Sequence, residues 1–83
     1  MTTAQEIIDN INYILEDPAL QRNIKSKLDQ IVQILKTVNK QDLRLKAGKC
    51  TDLLGDVCED VNIQSFVRTQ LFQISGMLES MEF

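Results

Sequence analysis

Residues 14–35 of this chain align without a gap on residues 57–78, an offset of 43 positions (57 − 14). A period of that size belongs to repeated helical pairs. Glu16-Asp17 falls on Glu59-Asp60, Gln21 on Gln64, Leu28 on Leu71, Gln30-Ile31 on Gln73-Ile74 and Leu35 on Leu78, with Ile24/Val67, Lys25/Arg68 and Ser26/Thr69 as conservative partners. A duplicated hairpin has two physical outcomes. Either the two apolar faces meet and close a four-helix bundle, or the hairpins stack side by side as a short HEAT-like solenoid. A solenoid needs about three repeats to bury a continuous core. The expectation is therefore an all-α, up-and-down four-helix bundle, with the stacked HEAT-like pair as second choice.

The helices themselves follow from apolar spacing. Thr3 with Glu6 three residues on has the form of a capping box, and Ala4, Ile7, Ile8, Ile11, Ile14 and Leu15 then lie along one helical face. Glu16-Asp17-Pro18 interrupts it. Proline disfavours helix in the residue before it and suits the first turn of a new one, so the second helix is expected within a residue or two of Pro18. Its apolar set is Ile24, Leu28, Ile31, Val32 and Leu35, with Lys25, Lys27, Asp29 and Gln33 outside. Asn39 and Asp42 resemble a cap. A third helix should occupy most of 40–60, with its stripe at Leu43, Ala47, Cys50, Leu54, Val57, Cys58 and Val61. The last begins after Asn62 and packs Val67, Leu71, Ile74, Leu78 and Met81. The hairpins thus span about 3–37 and 40–82 of one domain covering 1–83.

Composition narrows the class. At 43% hydrophobic and 25% charged the chain is globular rather than disordered, and at 83 residues its core is small enough that self-association is a natural support. Apolar runs are short, as at Ile7-Ile8 and Leu53-Leu54, against about 20 residues for a membrane span. A cytoplasmic protein with no membrane contact is expected. Cys50 and Cys58, on one helix, are about 12 Å apart at 1.5 Å rise per residue, beyond the ~7 Å reach of a disulfide. Two reduced, buried thiols are expected.

The two joints carry a resemblance. Glu16-Asp17-Pro18 followed by Arg22-Asn23-Ile24-Lys25, and Glu59-Asp60 followed by Arg68-Thr69-Gln70-Leu71-Phe72-Gln73-Ile74, are similar to the joints of an uncharacterised family of small archaeal helical proteins, UPF0147. Val61 and Gln64 stand where that family usually has prolines, and Phe72 where it has Trp. The resemblance implies a four-helix up-and-down bundle and an archaeal, cytosolic setting. It implies no activity.

The chain contains no His, which removes the commonest general base and the commonest metal ligand together. No phosphate-binding glycine loop, Cys-x-x-Cys pair or His-Glu-x-x-His helix is present. Asp52, Asp56, Glu59 and Asp60 flank the third helix's stripe and read as a solvated acidic edge. No catalytic residue, cofactor, metal or small-molecule substrate is inferred, and an enzyme is not expected. Gly48 and Gly55 lie on one flank of the third helix, where a close helix approach would explain them.

Two patterns point to partners. At 100° per residue, Phe72 lies about 140° from Val67, Leu45 about 180° from Leu54 and Tyr13 about 200° from Ile11. Tyr13, Leu45 and Phe72 are thus candidates for a protein-docking surface, including a homodimer contact. Lys36, Lys40, Arg44, Lys46 and Lys49 form the one basic stretch in a chain of net charge −3. They are candidates for phosphate or RNA contact. The leading expectation is a non-enzymatic, self-associating interaction module; the alternative is an RNA- or ribosome-associated factor using the basic hairpin end.

Overall fold

The computed structural model describes residues 2–60 and 63–81. Four helices follow one another, α1 (Ala4–Leu15), α2 (Arg22–Lys36), α3 (Leu43–Cys58) and α4 (Ser65–Glu79). Each packs against its chain neighbour, and α4 closes the ring against α1; the backbones of the diagonal pairs α1/α3 and α2/α4 stand farther apart. The α1/α4 seam is what a closed bundle has and stacked hairpins lack, so the fold is the four-helix bundle.

Burial explains the closure. Ile7, Ile11, Ile14, Ile24, Leu28, Ile31, Leu35, Cys50, Leu54, Val57, Val67, Leu71, Ile74 and Leu78 all point inward to one continuous core. Ile8, Val32, Ile63 and Met81 complete it. No polar or charged residue is buried as a whole among the described residues; one desolvated group opposes packing, the Arg68 Nε, which is buried without a hydrogen-bond partner. The accessible surface, 5300 Å², is close to the roughly 5,000 Å² expected for a folded monomer of this mass.

The repeat survives in the backbone. Glu16 and Glu59 end α1 and α3 at φ/ψ of −72°/−15° and −79°/−12°; Gln21 and Gln64 begin α2 and α4 at −66°/149° and −65°/146°. Asp17 N–H donates to Ile14 O and Asp60 N–H to Val57 O, both at 3.1 Å. At the far ends, Thr37 Oγ1 donates to Ile34 O (3.1 Å) and Ser80 Oγ to Met77 O (3.3 Å). Gln64 occupies the φ that a proline would impose, so this joint keeps its geometry without one. Val61 lies outside the described residues.

Several details differ from the sequence reading. The second helix starts at Arg22 rather than beside Pro18. Asp17 Oδ1 accepts the Ala19 N–H (2.9 Å) and Leu20 N–H donates to Asp17 O (3.2 Å); this side-chain turn satisfies the backbone outside a helix and delays nucleation. The Thr3 half of the capping box is formed, Glu6 N–H donating to Oγ1 at 3.3 Å. Asp42 precedes α3 but caps nothing in it; it accepts Asn39 N–H (2.9 Å), while Asn39 Oδ1 accepts Gln41 and Asp42 N–H (2.9 and 3.0 Å).

Cys50 is buried as expected, but Cys58, a turn from the joint, is only half-buried. The close approach expected at Gly48 and Gly55 is absent. A Cβ built at either, or at Gly76, meets no atom of another element within 4 Å, because these positions face away from the seams. Ile63, which the stripe missed, is buried where the second joint turns into α4.

Candidate functional site

Helix periodicity sends a residue roughly 100° or more from the buried stripe out of the core, and among the described residues four large apolar side chains are exposed in this way: Tyr13, Leu45, Phe66 and Phe72. They do not form one patch. Tyr13, in the last turn of α1, and Phe66, in the first turn of the antiparallel α4, share one end of the bundle and line a common groove. Phe72 is six residues beyond Phe66, about 120° away around α4. It lies across the buried stripe from that groove. Leu45, the most exposed at 78%, projects from α3 near the opposite end.

The α1/α4 groove has a volume of about 220 Å³. Ile14 and Val67, both in the core, make its floor; Tyr13 and Phe66 rise from it, 65% and 57% exposed. Glu16, Asp17 and Gln70 supply its polar groups. A smaller hollow of about 80 Å³ shares Asp17 and Val67 with it and continues past Leu20, Gln21, Ile63 and Gln64. Asp17 is held in place by its bond to Ala19 and by its own N–H on Ile14 O. Neither Glu16 nor Asp17 is within ion-pair distance of a Lys or Arg among the described residues.

At the opposite end of the bundle lies the basic stretch. Lys36, Lys40, Arg44 and Lys49 are exposed. Lys46 is occupied internally: its Nζ lies 3.1 Å from Asp42 Oδ2 and donates to Thr37 O (3.1 Å) and Thr37 Oγ1 (3.3 Å). It ties the α2/α3 joint together. Asp42 is correspondingly held below the usual carboxylate range, first by the Asn39 N–H and then by Lys46. The two chain ends meet nearby, Thr2 pairing with Met81 as an isolated bridge and Thr2 Oγ1 lying 3.2 Å from Ser80 Oγ.

The second joint is braced by Arg68, whose Nη2 donates to Asp60 O at 2.9 Å, and by Asn23, whose Nδ2 donates to Asp60 Oδ2 at 3.4 Å. Burial raises both thiols, Cys50 to about 11, while the Arg68 charge partly opposes the rise at Cys58. Asp52, Asp56 and Glu59 are exposed along the α3 edge.

The sequence matches the model of the Uncharacterised protein family (UPF0147) across residues 1–81. This chain belongs to the UPF0147 family. Among curated members, it is similar to a UPF0147 protein of Archaeoglobus fulgidus, 25% identical over 75 residues that cover 90% of this chain and 84% of the relative. A UPF0147 protein of Pyrococcus horikoshii is 28% identical, with 99% of this chain and 92% of the relative covered. The crystal structure of the unknown-function protein MMP1188 superposes with a TM-score of 0.84 at 28% identity, covering 96% of this chain and 90% of that one. The likeness covers nearly the whole of both chains, so the four-helix bundle is shared with that protein as a whole and is not a local match.

Sequence reasoning missed Phe66, and with it the groove. The signal was present. Phe66 is about 100° from Val67 on a helix whose stripe is otherwise unambiguous, but pairing it with Tyr13 requires knowing that α4 returns beside α1. No helix among the described residues is long and apolar enough to cross a membrane.

Proposed function

We propose that this UPF0147 protein is a non-enzymatic docking module that engages a protein partner, a second copy included, through the α1/α4 groove. The observation that carries the reading is the pair Tyr13 and Phe66, two aromatic rings more than half exposed over an apolar floor. Exposed aromatics that gather rather than scatter mark contact sites, because burying one such ring against a partner contributes on the order of 2 kcal/mol or more. Phe72 and Leu45 offer separate, single-residue contacts on other faces. The volume supports the same reading: about 220 Å³ is below the roughly 300–1,000 Å³ of pockets that enclose small molecules.

A photo-crosslinking residue placed at position 66, with exposed Gln33 on α2 as the control position, tests this in lysate of the source cells. Discrete protein adducts from position 66 that survive nuclease, and that disappear with Tyr13→Asp, are expected. Equal labelling from both positions, or adducts that vanish with nuclease, would overturn it; the second outcome moves function to Lys36, Lys40, Arg44 and Lys49.

A further inference from the structure

The duplicated fold contains its own control for the α1/α4 groove. Shifting each lining residue by the 43-residue repeat takes Tyr13 to Asp56, Ile14 to Val57, Glu16 to Glu59, Asp17 to Asp60, Phe66 to Asn23, Val67 to Ile24 and Gln70 to Lys27. The backbone turns at both places have the same dihedral angles and the same Asp N–H bond. Their side chains behave differently. At the α2/α3 seam, on the same end of the bundle, Asn23 Nδ2 donates to Asp60 Oδ2 (3.4 Å), so the carboxylate is used within the chain. At the α1/α4 seam the residue in Asn23's place is Phe66, which has no donor to offer Asp17. The Asp17 side chain keeps its single bond to Ala19 N–H, and Glu16 beside it has no cation within reach among the described residues.

One repeat therefore closes its joint on itself. The other leaves two carboxylates next to two exposed aromatic faces and an apolar floor. These groups suit different parts of one ligand: the carboxylates attract a cation, the ring faces attract it again through their quadrupoles, and the floor takes the methylene stem behind it. Arginine and lysine side chains are the protein groups that carry all three parts.

We infer that the groove receives a basic side chain, Arg or Lys, presented by a segment of a protein partner. This rests on the docking reading above and specifies its chemistry. Charge complementarity decides the occupant: the lining holds Glu16 and Asp17 and no Lys or Arg, so an acidic or purely aliphatic segment leaves both carboxylates facing it unpaired. The cost of that arrangement discriminates between partners as well as binding the right one.

The test is amide chemical-shift mapping of the intact protein. The probes are a short capped peptide with one arginine between leucines and the same peptide with neutral citrulline at that position. Saturable shifts confined to the neighbourhood of Tyr13, Glu16, Asp17, Phe66 and Gln70 are expected for the arginine peptide, with citrulline binding about tenfold weaker. Glu16→Gln with Asp17→Asn should erase that preference. The carboxamide oxygen that Asp17→Asn introduces can still accept the Ala19 N–H, so the fold is retained, and unchanged shifts elsewhere in the spectrum will verify it. Equal binding of both peptides, shifts centred on Asp52 and Asp56 instead, or equal affinity for arginine amide alone would each overturn the inference. The crosslinking experiment separates the two claims: protein adducts at position 66 together with no arginine preference leave docking standing and remove only its proposed chemistry.

Discussion

Replacing Gly48, Gly55 and Gly76 with alanine should stabilise the bundle. All three lie within helices, where glycine costs up to about 1 kcal/mol relative to alanine through the backbone freedom it surrenders on folding. The added Cβ meets no neighbouring element at any of them, so no steric cost opposes the gain. Gly48 is well inside α3 and should contribute the most; Gly55 and Gly76 sit closer to their helix ends, where fraying reduces the benefit. Gly48 and Gly55 are about 10 Å apart along α3 and Gly76 is on another helix, so the effects should add. The triple variant should gain about 1.5–2.5 kcal/mol. Against a total stability of roughly 4–12 kcal/mol for a domain of this size, that is a large fraction, and it should raise the melting temperature by roughly 10–20 °C. Urea and thermal unfolding followed by circular dichroism would measure it, with sedimentation run on the same proteins. A triple variant that is no more stable, or one whose association state changes, would refute the reasoning, because the glycines would then be holding a close contact that the chain alone does not make.

Three further outcomes follow from the charged and thiol groups. The folded state depresses the Asp42 carboxyl below 3.8, chiefly through Asn39 N–H, so its contribution is complete above the unfolded value and is lost as pH falls through the folded one. Wild type should exceed Asp42→Asn in stability near neutral pH, and the two should converge on acidification below about pH 4; a gap that is constant across pH in urea titrations would contradict this. Burial raises Cys50 from 9.0 to about 11, so the folded state keeps a proton that the unfolded chain releases, and stability should decline as pH rises across that interval. At neutral pH an alkylating reagent should modify Cys58 first, with Cys50 slower by about tenfold for each 1.4 kcal/mol needed to open the core. Equal labelling rates in the folded protein would show that Cys50 is accessible.

The apolar stripes were legible because helical periodicity is a local property. Ile24, Leu28, Ile31, Val32 and Leu35 on α2, and Val67, Leu71, Ile74 and Leu78 on α4, can be read from spacing and are buried as read. Joints were less legible because they depend on competing local bonds. At Asp17 a side-chain turn took the backbone donors that a helix starting at Pro18 would have used. Glycine positions misled for a related reason. A close approach is one use of Gly48 and Gly55, but only the arrangement of neighbouring helices shows that nothing approaches.

Residue order and spacing were enough to establish the four helices, their inward faces, the duplication and the outward placement of Tyr13, Leu45 and Phe72, since a residue's direction from its helix depends on neighbours within a few turns. Packing was needed to show that the hairpins close into a ring through α1/α4, that Tyr13 and Phe66 line one groove at that seam, and that Lys46 is an internal brace while its basic neighbours remain exposed. These relations join residues on different elements. Spacing fixes which way a side chain points from its own helix, and packing alone fixes what it finds there.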